Sequence, residues 1–173
     1  MDGLRQALPV TLAPHMTQRP AAEVQADPPS GFRQLVGYRL LDWKDGEAAI
    51  TLTVGPRHLN RSGALHGGVI TTLIDAVGGY AGTYCPEPGH VRRCVTVSLT
   101  TQFLAQTKIG VLTARARVRG GGKRLFIASA EVTDAGGVLL AIGEGVYRYR
   151  SGSENPHGVP VGRQAEKRNT PLG

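Results

Sequence analysis

The chain has 173 residues, of which 40% are hydrophobic and 19% charged; that is enough apolar matter for one core and too balanced a mix for a disordered polymer, so a single domain with tails is expected. The formal charge of +7 divides into −1 over residues 1–30, +5 over 31–147 and +3 over 148–173. No run of five or six like charges occurs, which argues against a nucleic-acid arm, whereas a moderate positive field suits a polyanionic small molecule.

Residues 1–29 mix Pro, Ala and polar groups without periodicity and read as a flexible lead-in. The folded domain is expected over 30–150. Phe32 to Leu41 leads into a first strand, and Lys44-Asp45-Gly46 signals a turn. Residues 47–54 alternate, with Ala48, Ile50, Leu52 and Val54 on one face and Glu47, Thr51 and Thr53 on the other. A long stretch from Gly67 to Tyr84 lacks alternation and is long enough for a helix. Strands follow at 94–104, at 111–119 with Leu112, Ala114, Ala116 and Val118 inward, and at 124–133 with Phe126, Ala128, Ala130 and Val132 inward. The Asp134-Ala135-Gly136-Gly137 turn returns the chain into a last strand at 138–149. From residue 151 a Ser-Gly-rich and then basic stretch to 173 reads as a second flexible tail.

The helix carries the most information. Val69, Ile70, Leu73, Ile74, Ala76, Val77, Tyr80 and Ala81 cover most of its circumference, so it is expected to be buried nearly all round. Gly68, Thr71, Thr72, Asp75, Gly78, Gly79 and Gly82 fall on one narrow stripe. Each helical glycine costs about 1 kcal/mol relative to alanine, so another backbone is expected to come close along that stripe, and its small residues would leave room for a bulky ligand group. Asp75 is the one charge on the helix. A buried carboxylate is costly; either it hydrogen-bonds to a neighbouring strand or chemistry requires it.

Asn60-Arg61-Ser62-Gly63-Ala64-Leu65-His66-Gly67-Gly68-Val69, followed by Leu73-Ile74-Asp75, resembles the N-x-x-G-x-L-H-G-G…(L/I)-x-D signature of the PaaI-type hotdog thioesterases, and the resemblance extends from about Phe32 to Tyr149. It implies an α+β hotdog fold, a curved antiparallel sheet wrapped around one long central helix, and an acyl-CoA thioesterase that hydrolyses an aryl- or fatty-acyl-CoA. It further implies a dimer or a tetramer built as a dimer of dimers, with sites at the dimer interface. By the same resemblance the Gly67 amide polarises the thioester carbonyl, Asn60 positions the water or the thioester, His66 shapes the loop and helps to bind the thioester, and Thr96 lies near the aspartate of the other subunit, with Ser98 one side-chain repeat away. Asp75 acts as general base on water or attacks the carbonyl to give a mixed anhydride; both remain open.

Elementary chemistry points the same way. Gly67 and Gly68 open the helix, where free N–H groups and the dipole favour an oxyanion. Gly67 and Asp75 are eight residues apart, roughly 12 Å along a helix, so one carbonyl carbon cannot touch both. If both act, they come from different subunits.

Arg92, Arg93, Lys123 and Arg124 are the candidates for holding the coenzyme A phosphates, with Gly68 also expected to contact substrate. Gly120-Gly121-Gly122-Lys123 lacks P-loop spacing. His15, His58, His90 and His157 lack metal-ligand spacing, so no metal and no cofactor beyond the coenzyme A of the substrate is expected. Cys85 and Cys94 form no CxxC pair, and no signal pattern or 18-residue apolar stretch occurs, so a cytoplasmic protein with two reduced thiols and no membrane or nucleic-acid partner is expected. G-x-S-x-G is absent, which removes an α/β serine hydrolase. A dehydratase would need a differently placed His, and a non-catalytic acyl-CoA sensor is the reading kept as the alternative to an enzyme.

Overall fold

The structure is a computed structural model and describes residues 30–161. A short helix, α1 (Gly31–Val36), precedes β1 (Arg39–Lys44) and β2 (Glu47–Thr53). After a 3-10 turn (Pro56–His58) comes the long helix α2 (Gly67–Gly82), followed by β3 (His90–Val91), β4 (Cys94–Phe103), β5 (Val111–Gly121), β6 (Leu125–Asp134), β7 (Leu139–Tyr149) and β8 (Val159–Pro160). Six strands form one sheet in the order β1-β2-β5-β6-β7-β4, antiparallel at every junction. Helix α2 packs against all six of them, which is the hotdog arrangement. Its apolar positions Ile70, Leu73, Ile74, Val77 and Ala81 meet Ile50, Leu52, Leu112, Ala114, Val132 and Leu140 in the core.

The turn at Lys44-Asp45-Gly46 is present, with Gly46 at φ 73°, and the one after Asp134 closes on Gly137 at φ 82°. Two expectations at the ends of the domain fail. Residues 31–36 are helical rather than the approach to a strand: Ser30 Oγ accepts the Arg33 N–H (3.3 Å) and Gly37 ends the turn at φ 88°, the usual N-cap and C′ glycine pair. Residues 151–161 are not a loose tail. Ser153 is fully buried, β8 pairs with β3, and the Cys85 thiol donates to the His157 carbonyl. Residues 1–29 and 162–173 lie outside the described residues.

The glycine stripe is filled from inside the subunit. A Cβ on Gly78 would sit 2.2 Å from the Tyr147 hydroxyl oxygen, and one on Gly82 would sit 2.1 Å from the Phe126 ring. Tyr147 and Phe126 stack with ring centroids 5.0 Å apart and form a second small buried cluster. The close approach is therefore made by the sheet's own aromatic rings rather than by another backbone, and the expected room for a bulky group at Gly78 and Gly82 is occupied.

Among the described residues no helix is long and apolar enough to cross a membrane.

Candidate active site

Two ends of β4 hold the two halves of the candidate chemistry. At the first, Asp75 projects from the middle of α2 towards the sheet edge, and the Thr96 hydroxyl donates to its Oδ1 at 2.6 Å. The backbone carbonyl of Asp75 accepts from the Tyr147 hydroxyl (3.2 Å), so the helix turn that carries the carboxylate is tied to β7 as well. Oδ2 has no protein partner among the described residues and is the oxygen available to take a proton or attack a carbon. The bond to a neighbouring strand, one of the two accounts of Asp75, thus uses half of the carboxylate and leaves the other half for chemistry. Thr96 belongs to the same subunit as Asp75, which corrects the expectation that it faces the aspartate of another.

A bulge decides between Thr96 and Ser98. Thr96 pairs with Tyr147 and Ser98 with Val146, leaving Val97 as the extra residue. Side chains that face each other across a ladder share a face, so Thr96 joins the buried Tyr147 on the helix side while Ser98 joins Val146 and Ile127 on the other. Without the extra residue both hydroxyls would share one face.

At the second end, His66 caps α2. Its backbone is extended (φ −68°, ψ 131°) and its Nδ1 accepts the Gly68 N–H at 2.9 Å. Gly68 is therefore engaged by the cap and does not present the free donor expected of it. The Gly67 N–H opens the helix and has no intrahelical acceptor. Beside it lies the Phe103 ring, 3.2 Å from where a Gly67 Cβ would stand. The loop behind is held by Asn60, whose Oδ1 accepts the N–H groups of Ser62 (2.9 Å) and Ala64 (3.1 Å), leaving its side-chain NH₂ as the group that can reach a ligand. His66 N–H donates to the His58 carbonyl and Leu65 N–H to the Thr107 carbonyl, so the position of Gly67 is fixed from both sides.

The basic candidates separate. Arg92 is structural: its guanidinium donates to the carbonyls of Ser153 (3.0 Å) and Tyr84 (3.2 Å) and covers the Tyr149 ring at 4.7 Å. It locks the C-terminal segment rather than waiting for phosphate, which removes it from the binding candidates. Arg93, Lys123 and Arg124 are exposed. Sequence reasoning missed Tyr147 and Phe103; their spacing in β7 and β4 carried no signal beyond an ordinary strand aromatic.

The surroundings of Asp75 also exclude a competing nucleophile. Burial, reinforced by the Asp75 charge, raises the Cys94 thiol to about 11, so it is protonated at neutral pH and not a thiolate. Burial and then Asp75 raise the Tyr147 hydroxyl as well. It stays a donor.

Similarity to known proteins agrees with this geometry. The thioesterase superfamily profile matches residues 62–141. Acyl-coenzyme A thioesterase 13 of Homo sapiens is 30% identical over 115 residues, 65% of this chain and 80% of that one, and a Pseudomonas aeruginosa protein named "Putative esterase PA0474" is 33% identical over 58% of this chain and 74% of its own. Among solved structures, the E. coli PaaI protein from the phenylacetic acid degradation operon superposes with a TM-score of 0.62 at 25% identity, covering 75% of this chain and 88% of that one. Fold, the site motif and these relatives converge: the chain belongs to the thioesterase superfamily, as a PaaI-type hotdog thioesterase that hydrolyses thioesters.

Proposed function

We propose that the protein is an acyl-CoA thioesterase that converts an aryl- or fatty-acyl-CoA to the free acid and coenzyme A, with Asp75 of one subunit and the Gly67 amide of another at each reaction centre. The observation that carries this reading is the placement of the two groups along β4. Asp75 sits at Thr96 and Gly67 sits at Phe103, eight residues and roughly 12 Å apart along the helix, so neither end is complete alone.

Strand β4 is an edge of the sheet, ten residues long, with Val97 and Phe103 exposed at 59% and 55%. Such an edge invites an antiparallel copy of itself. A two-fold axis at Thr100 would pair Leu99 with Thr101 and Ser98 with Gln102, and the Val97 bulge would then set Thr96 of one copy opposite Phe103 of the other, bringing each Asp75 beside the other copy's Gly67. In that composite site the Gly67 N–H would polarise the thioester carbonyl, helped by the positive end of α2. Oδ2 of Asp75 would take a proton from water or attack the carbonyl carbon. With Asp75 as base, water adds to the carbonyl carbon, the carbon–sulfur bond breaks, the thiolate takes the proton Asp75 received, and the acyl group departs as the acid. With Asp75 as nucleophile the same bond breaks to leave a mixed anhydride, which water then cleaves to the acid and the free carboxylate, while the thiolate is protonated from solvent. Thr96 would hold the carboxylate in one rotamer through Oδ1. Two copies in this arrangement form a dimer, or half of a tetramer, and a cytoplasmic setting fits two free cysteines and a coenzyme A substrate.

The test is thiol release from a panel of aryl- and fatty-acyl-CoAs by the wild type and by Asp75→Asn. Hydrolysis of one acyl class that drops about 10²- to 10⁴-fold in the variant is expected. Full activity in the variant would remove Asp75 from the reaction.

A further inference from the structure

Beyond the reaction centre, the Cys94 end of β4 carries a second feature. Arg148 faces Leu125 and Val95 across the two ladders of β7. The Arg124 carbonyl accepts the Tyr149 N–H (3.0 Å), and the Arg150 N–H donates to the Arg93 carbonyl (2.8 Å). Strand pairing thus gathers Arg124, Arg148 and Arg150 around an open cavity of about 720 Å³, whose lining also includes Val95, Ser151 and one carboxylate, Glu154. That volume is within the range of small-molecule sites.

None of the three guanidinium groups has an ion pair or a side-chain hydrogen bond among the described residues; the ion pairs there join Lys44 to Glu47 and His157 to Glu87. The arginines of β5 each face an acid or a hydroxyl across the ladder. Arg115 stands opposite Glu131, Arg117 opposite Glu47, and Arg119 donates to the Ser129 hydroxyl at 2.6 Å. Three cations gathered where β6 begins and β7 ends and left unpaired repel one another, and the guanidinium fork matches phosphate oxygens better than any other side chain does. The cavity lies one residue along β4 from the candidate reaction centre, on the opposite face of the strand: Val95 lines it, and the next residue, Thr96, holds Asp75.

We propose that this cavity is a phosphate subsite, in which Arg148 and Arg150, assisted by Arg124, take the phosphorylated nucleotide end of a coenzyme A thioester. The assignment rests on the thioesterase reading above and adds the residues that would select a coenzyme A carrier.

The experiment compares the wild type with the double variant Arg148→Gln, Arg150→Gln on one acyl group carried either by coenzyme A or by N-acetylcysteamine, the same thioester without phosphates. Expected are a rise in KM for the coenzyme A thioester of about tenfold or more, a kcat within about threefold, and a loss of about tenfold or more in preference for coenzyme A over the truncated carrier. An unchanged preference would overturn the proposal. A calorimetric titration needs no catalysis. Adenosine 3′,5′-bisphosphate should bind the wild type about tenfold or more tighter than it binds the variant, and tighter than inorganic phosphate binds the wild type. Equal binding to both proteins, or inorganic phosphate binding as tightly as the nucleotide, would overturn it. If the wild type hydrolyses neither thioester, the thioesterase reading fails while the titration still decides the cavity.

Discussion

At the scale of single residues, the candidate site is organised by what Asp75 touches. One oxygen is fixed by Thr96 and the backbone behind it by Tyr147, so the carboxylate is oriented before any ligand arrives. Removing the hydroxyl with Thr96→Val should lower kcat about tenfold, while Thr96→Ser, which keeps the donor, should stay near the wild type; steady-state kinetics on both variants checks this. Burial, reinforced by the same carboxylate, holds the neighbouring Cys94 thiol protonated up to about 11, from an ordinary thiol value of 9. Between those values the folded chain keeps a proton that the unfolded chain releases. Stability from this group is therefore complete below pH 9 and is lost as pH rises towards 11, at about 1.4 kcal/mol per pH unit. Tyr147, raised for the same reasons, adds to the loss with the same sign in the alkaline range. Urea unfolding at a series of pH values should show a shallower alkaline decline in Cys94→Ala than in the wild type.

At the scale of elements, helix α2 shows how far local pattern reaches. Its existence and its start at Gly67 follow from apolar spacing and from the His-Gly-Gly cap, and β2, β5 and β6 follow from alternation; its burial within one copy is one-sided, with Val69, Ala76 and Tyr80 only partly covered. Its end two residues earlier than Tyr84 does not follow from that spacing: Thr83 closes the helix through its hydroxyl on the Gly79 carbonyl (2.7 Å), a side-chain choice that periodicity does not encode. Helix α1 was legible in principle from Ser30 and Gly37 but is too short for an apolar period. The pairing of β3 with β8 joins residues about seventy apart, and two-residue strands have no alternation to read. Most instructive are Gly78 and Gly82, whose smallness was visible while the rings that require it were not, because Phe126 and Tyr147 arrive from strands far along the chain. Gly82→Ala should accordingly destabilise the fold by about 1–3 kcal/mol despite alanine's higher helix propensity. Thermal unfolding beside Phe126→Leu, Gly82→Ala, in which the ring is gone, should return part of that loss.

At the scale of the whole molecule, the sheet edge matters more than the core. The chain's two chemical groups lie at opposite ends of β4, and the motif that made Asp75 and Gly67 readable could not show that one strand separates them. The account stands on their coming together across two copies, and subunit complementation addresses that directly. Asp75→Asn removes the carboxylate charge. Gly67→Pro removes the polarising N–H at the first helical position, where proline's backbone is tolerated and the extended His66 before it is already compatible, the Phe103 ring giving way by a few tenths of an ångström to the added carbon. Each variant alone should be inactive. Co-assembled in equal amounts from unfolded or dissociated chains, half of the dimers would be mixed and each would hold one intact site, restoring about a quarter of wild-type activity. Mixed dimers that form, as seen by differential tagging, yet remain inactive would contradict the shared site.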